Sequence, residues 1–217
     1  MEIWSMWVTL IENSMLFASS YFGVSEAIAI IAVTLLARIM LLPISYKSAY
    51  KMYTNKLAMK ALKPELDQLN SKFKNDPVQL AEVTMSLYKE KGIRLLDKTT
   101  VLSMGAQGIL GVGIFQALKE MLFNSKFLWI PDLAKPDIIL AVLLAVITFL
   151  MMTLMPGAAE QSVWLMLAVP VIISVVVYFT LPAAIGIYLI ASNVVTLCQS
   201  IFLQYVISKQ NRKLETY

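Results

Sequence analysis

Arg38 is the residue whose chemistry most needs explaining, because it lies deep within a largely apolar run over residues 24–44. An arginine at the centre of a membrane helix costs about 2.5–3.5 kcal/mol on insertion scales. Two readings follow from position alone. The side chain could snorkel to the nearer surface or join a structural ion pair, for which Asp97 is a possible partner. Alternatively, it could serve a wet cavity. Its neighbours favour the cavity. Thr34 shares its helical face at four-residue spacing, with Ser45 further along. Ser103 and Gln107 share a face of a second apolar run, and Tyr188, Ser192, Thr196 and Gln199 form a polar stripe on a third. Asn193, Ser200 and Gln204 lie beside that stripe. Polar groups in hydrocarbon need partners or water. Three stripes converging with one arginine therefore point to an aqueous groove, although hydrogen bonding between helices is the plainer use of such residues.

Covalent chemistry is not indicated. The chain has no histidine, so it lacks the commonest general base and metal ligand. No nucleophile–base pair, metal cluster or phosphate-binding glycine loop is visible. The expectation is a non-enzyme without a cofactor. Cys198 is the sole cysteine, which excludes an intrachain disulfide. The acids lie mainly in loops and the polar stretch 45–92, so no intramembrane carboxylate pair suggests proton coupling.

The elements that must position these residues are membrane spans. Of 217 residues 59% are hydrophobic and only 15% charged, against about 25% charged in soluble domains. A span needs about 20 apolar residues. Candidates are residues 24–44, 100–118 and 138–155, followed by a run over 162–207 that is too long for one crossing. Leu181-Pro182-Ala183 is its expected turn, giving spans four and five. In residues 1–20, Trp4, Trp7, Val8, Ile11 and Met15 share a face, as in an amphipathic helix lying at the interface; a short further span is the alternative. Gly105, Gly108, Gly111 and Gly113 would allow close packing of span two. No basic stretch precedes the first apolar residues, so no signal peptide is expected at Met1.

Residues 45–92 form the polar exception. Met52, Met59, Leu62, Leu66, Leu69 and Phe73 keep a heptad spacing, with Asn55 at one seam position, and Leu80, Val83 and Leu87 resume it. Asp76-Pro77 reads as an N-cap and first helical residue, so a helical hairpin turning at 74–76 is expected. Pro64 would kink or interrupt its first arm. Lysine and arginine concentrate in this hairpin and in the C-terminal tail, whereas the N-terminal segment has none before Arg38. By the positive-inside rule the hairpin and the tail are cytoplasmic, while the N-terminus and loop 119–137 are outside.

Several segments resemble the YidC membrane-insertase family. Arg38-Ile39-Met40-Leu41-Leu42-Pro43-Ile44 is similar to the end of its first core span, and Ala61-Leu62-Lys63-Pro64-Glu65-Leu66 to its Leu-x-Pro-Glu segment. Phe73-Lys74-Asn75-Asp76-Pro77 with Met85-Ser86-Leu87-Tyr88-Lys89-Glu90-Lys91-Gly92 resembles its hairpin turn and second arm. Phe127-Leu128-Trp129-Ile130-Pro131-Asp132-Leu133 resembles its external loop, and Tyr188-Leu189-Ile190-Ala191-Ser192-Asn193 its last span. Arg94-Leu95-Leu96-Asp97-Lys98 departs from the family pattern, as does Gly108 after Gln107. Neither a large external domain nor a long basic tail is expected.

The resemblance implies an all-α integral membrane protein of five transmembrane helices, with an N-terminal interfacial amphipathic helix (1–21) and a cytoplasmic helical hairpin (47–93) between span one (22–46) and spans two to five (94–207). A basic tail (208–217) ends the chain. The resemblance places Arg38 in a groove that receives polar parts of client membrane proteins and nascent chains before their release into the lipid bilayer; with the polar stripes, the expected groove is Arg38, Thr34, Gln107, Tyr188, Ser192, Thr196 and Gln199. Thr34 and the Tyr188 region would face substrate. A ribosome or targeting factor would dock on the hairpin, and a Sec translocon is a further candidate partner. The implied location is the bacterial plasma (inner) membrane. A small channel or transporter using the same cavity is the competing reading.

Overall fold

The computed structural model describes residues 2–74, 76–93, 97–123, 125–154 and 178–214. Among them are seven α-helices: α1 (Glu2–Phe22), α2 (Glu26–Ala61), α3 (Lys63–Lys72), α4 (Pro77–Glu90), α5 (Lys98–Glu120), α6 (Ile138–Leu154) and α7 (Ala183–Leu214). The one β-bridge among the described residues joins Phe127 to Ile130 in the loop after α5. Three helices, α2, α5 and α7, are long and apolar enough to cross a bilayer, and α6 is apolar but shorter. Their outer faces carry exposed Ile39, Met40, Ile109, Val112, Val142 and Ile201, a surface suited to lipid and not to water. The expected fourth span lies mostly outside the described residues.

The helix that carries the first span does not stop near residue 44. α2 runs on without a break for 36 residues, with Pro43 inside it. At about 1.5 Å per residue it extends about 54 Å, well beyond a hydrocarbon core of about 30 Å. Proline removes one backbone donor, and a membrane helix tolerates that loss when neighbours re-satisfy the freed carbonyl. The residues after Pro43 are mostly good helix formers, with no glycine before Ala61, so nothing stops propagation. The interruption comes instead at Leu62, with Pro64 in the first turn of α3.

The chain divides into two compact units, one of residues 1–43 with 105–217 and one of residues 44–104. In the first, α1 turns Val8, Ile11 and Met15 inward while Glu2, Thr9 and Asn13 stay exposed. Its seat on α5 requires a glycine: a β-carbon on Gly113 would stand 2.5 Å from Trp7 Nε1 and 3.0 Å from Ile11 Cδ1. Gly111 is also closely approached, whereas Gly105 and Gly108 meet nothing within 4 Å, so only half of the glycine series serves packing. α6 and α7 touch at Gly186, where a β-carbon would overlap Leu140. Helices in lipid gain little hydrophobic drive from pairing, so such close backbone approach carries much of the association.

The loop between α5 and α6 ties the helix ends together. The Glu26 carboxylate accepts from the Ser125 hydroxyl at 2.9 Å. Asp137 caps α6 by accepting from the Leu140 N–H at 2.8 Å and receives the Trp129 indole N–H at 3.1 Å. α7 starts directly after Pro182, as the turn at Leu181-Pro182-Ala183 required. Its first donors, Ala183 and Ala184 N–H, reach the carbonyls of Lys135 and Leu133 at 2.9 and 3.0 Å. These would otherwise be orphan helix-end donors.

In the second unit α3 and α4 lie against one another, with Lys91 3.9 Å from Glu65. Asp76 is the N-cap of α4, accepting from the Gln79 N–H at 2.9 Å, and Pro77 takes the first helical position. Leu62 is buried and Leu66, Leu69, Phe73, Leu80, Val83 and Leu87 are half-buried, but Met52 is exposed. Asp97 pairs with Lys51, so it is not a partner of Arg38. The Lys51 ammonium holds the Asp97 carboxyl below the usual carboxylate range, helped by the Thr99 hydroxyl. A lowered folded value means that the stabilisation is complete above the unfolded value, about 3.9, and is lost as pH falls through the lowered one. The Val101 N–H donates to the Asp97 carbonyl. Its exchange protection, corrected for intrinsic rate, is expected to hold down to about pH 4 and to weaken below. In Asp97→Asn that acid-dependent step should disappear; its persistence would assign it to another group.

Candidate functional site

Three helices each bring one pair of residues, four apart, to a common place in the first unit. These are Thr34 and Arg38 on α2, Gln107 and Gly111 on α5, and Tyr188 and Ser192 on α7. Arg38 lies about 18 Å along α2 from Glu26, Gln107 about 20 Å along α5 from Glu120, and Ser192 about 14 Å along α7 from Ala183. Those three helix ends border the α5–α6 loop. The residues thus lie at a similar distance from that end of the three helices.

The guanidinium fork is divided between two neutral partners. Nη1 donates to Gln107 Oε1 at 2.7 Å, and Nη2 donates to the Ser192 hydroxyl. Nε is buried without a hydrogen-bond partner. No carboxylate pairs with Arg38 among the described residues. Hydrogen bonds to charged groups contribute about 1.5–3 kcal/mol each, so two of them offset much of the cost of placing the charge here. They leave the charge itself uncompensated. Arg38 and Gln107 are half-exposed, whereas Ser192 is buried.

Tyr188 lies one turn before Ser192 on α7, and its hydroxyl reaches α5. A β-carbon on Gly111 would lie 3.1 Å from that hydroxyl, so glycine makes room for it. Gly111 was not among the expected site residues, although its place one turn from Gln107 marks it in the sequence. Thr34 is fully buried, and its hydroxyl has no hydrogen-bond partner. Tyr188 is 6% exposed, so neither residue lies open on a surface in this structure. Thr196 turns its hydroxyl to the Ser192 carbonyl of its own helix at 3.1 Å, which lets it satisfy itself locally. Gln199 lies about 10 Å further along α7 than Ser192. Hydrogen bonds and close approaches therefore gather Arg38, Gln107, Ser192, Tyr188 and Gly111, with Thr34 one turn along α2 from Arg38.

Apolar helices of spanning length around a partly buried cationic cluster define an α-helical membrane protein with several membrane-crossing segments. The family described as 60Kd inner membrane protein matches residues 17–211, and the chain belongs to that family. Among similar proteins, the membrane protein insertase YidC of Fusobacterium nucleatum is 31% identical over 185 residues, covering 81% of this chain and 84% of the relative. That of Clostridium tetani is 34% identical over 121 residues, 55% of this chain and 52% of the relative. That of Aquifex aeolicus is 27% identical over 197 residues, 87% of this chain and 37% of the relative. The chain thus spans about half the length of the Clostridium relative and little more than a third of the Aquifex one.

Proposed function

We propose that the chain is a membrane protein insertase that receives polar flanks of client segments at the Arg38 cluster and releases the apolar segment sideways into the bilayer. The observation that carries this reading is an arginine on an apolar helix held by amide and hydroxyl groups, with no acid among the described residues to neutralise it. Such a charge attracts an acidic flank and keeps water in its surroundings, and both lower the cost of drawing polar residues partway across. Burial of the client's apolar surface supplies the driving force, so no cofactor or catalytic step is invoked. The names of the relatives support the same reading. Thr34 and Tyr188 would meet a client only when α2 and α7 part.

The proposed setting is the bacterial inner membrane, with five spans, α1 at the outer interface, and the N-terminus outside. Residues 47–93 and the tail would then be cytoplasmic, where the basic hairpin can recruit a ribosome or targeting factor. A Sec translocon remains a candidate partner. Cysteines placed at Ser71 and Lys126 in a Cys198→Ser background are expected to react with an impermeant thiol reagent from opposite faces. Labelling of both from one face would defeat this orientation.

Reconstitution into protein-free liposomes tests the function itself. A small client is expected to become protease-protected in the presence of the chain, without leakage of small solutes. Solute flux without client insertion would assign the cavity to a channel or transporter instead.

A further inference from the structure

We propose that a cavity between the first turns of α1 and the last turn of α5 binds the headgroup of an ethanolamine phospholipid. The cavity is an open cleft of about 480 Å³ lined by Trp4, Ser5, Val8, Thr9, Gln116 and Glu120. Pockets for small ligands typically span about 300–1,000 Å³. It is spatially separate from the Arg38 cluster and does not depend on the insertase reading.

The lining fits a primary ammonium joined to a phosphate. The Trp4 indole N–H donates to Gln116 Oε1 at 2.8 Å, and Gln116 Nε2 reaches Glu120 Oε1 at 3.4 Å. This relay fixes the aromatic ring and orients the carboxylate, yet the second contact is long, so the exposed Glu120 keeps nearly all its accepting capacity. An ammonium can donate to that carboxylate while lying near the indole, whose π face attracts cations. The exposed Thr9 hydroxyl can donate to a phosphate oxygen. Val8 and the indole supply the apolar wall that the glycerol end would touch. Among the described residues no lysine or arginine lines the cavity, which disfavours an anionic headgroup.

Position supports a lipid as the source of the ammonium. The cavity sits where the apolar α5 ends in Lys119 and Glu120, at the level where tryptophan is enriched in membrane proteins. An ethanolamine headgroup occupies the same level in every leaflet that contains it.

The test is native mass spectrometry of the full chain in detergent, offered equimolar phosphatidylethanolamine and phosphatidylglycerol with identical acyl chains. Preferential retention of phosphatidylethanolamine by about tenfold is expected, the equivalent of about 1.4 kcal/mol. Glu120→Gln should bring the two lipids near parity at unchanged thermal stability, whereas Glu82→Gln on α4 should leave the preference intact. Trp4→Phe keeps a ring and should retain a reduced preference. Equal retention by the wild type, or a preference that survives Glu120→Gln, would overturn the proposal. So would occupancy by a lysine-bearing apolar peptide without any preference for phosphatidylethanolamine, which would make the cavity a contact for client protein.

Discussion

Arg38→Ala is expected to reduce insertion of clients with acidic external flanks by about ten- to a hundredfold, while sparing strongly apolar clients with uncharged flanks. Two unit charges 4 Å apart attract by about 4 kcal/mol at an effective dielectric near 20, against about 1 kcal/mol in bulk water. The difference, about 3 kcal/mol, corresponds to somewhat more than a hundredfold at 1.4 kcal/mol per decade, and residual water in the groove lowers it. Arg38→Lys keeps the charge but loses the planar fork that Gln107 and Ser192 divide between them. It should retain substantial activity toward acidic clients. The comparison uses a matched client series at equal folded protein levels. If Arg38 were a structural residue only, the client's charge would not matter, and every client would lose the same fraction.

The second large effect concerns folding. Gly186→Ile is expected to destabilise the bundle severely, because even a β-carbon at this position overlaps the Leu140 side chain. Overpacking a tight contact typically costs about 1–3 kcal/mol, and a branched side chain between two helix backbones falls at or above the top of that range. Leu140→Ala alone should also destabilise, by opening a void at the same contact. The two together should recover much of the loss, since the isoleucine then fills the space the leucine left. A double-mutant cycle read by thermal melting in detergent would show a coupling of about 0.5–3 kcal/mol. Additive losses would mean that α6 and α7 do not meet at this glycine.

What the sequence made legible was what a single helix encodes. Composition marks α2, α5 and α7 as apolar, and four-residue spacing places Gln107 and Ser192 on faces that could meet Arg38. Asp76-Pro77 and Pro182 announce helix starts through side-chain and backbone rules that act over two or three residues. Interactions between helices were less legible. Asp97 was a candidate partner for Arg38 by proximity to a span end, but a lysine on the long continuation of α2 holds it. That continuation was itself hidden, because the change from apolar to polar composition near residue 45 marks the end of a span and not the end of its helix.

The stripe on α7 illustrates the same limit. Periodicity places Ser192, Thr196 and Gln199 near one face, but it cannot say that the Thr196 hydroxyl turns back to its own helix. Nor can it rank the four glycines of α5, of which Gly111 and Gly113 meet side chains from other helices and Gly105 and Gly108 do not. The burial of Thr34 and Tyr188 follows from packing among helices, which a one-dimensional pattern does not contain.

The most direct test of a client-receiving groove is a photoreactive phenylalanine derivative at Tyr188, a position only 6% exposed in the closed bundle. A derivative of similar shape at Leu143, which is 40% exposed on α6, serves for comparison. With a client stalled during insertion, strong capture at Tyr188 and weak capture at Leu143 is expected, and capture at Tyr188 should fall in Arg38→Ala when the client flank is acidic. Equal capture at both positions, or capture at Leu143 alone, would contradict a groove centred on Arg38.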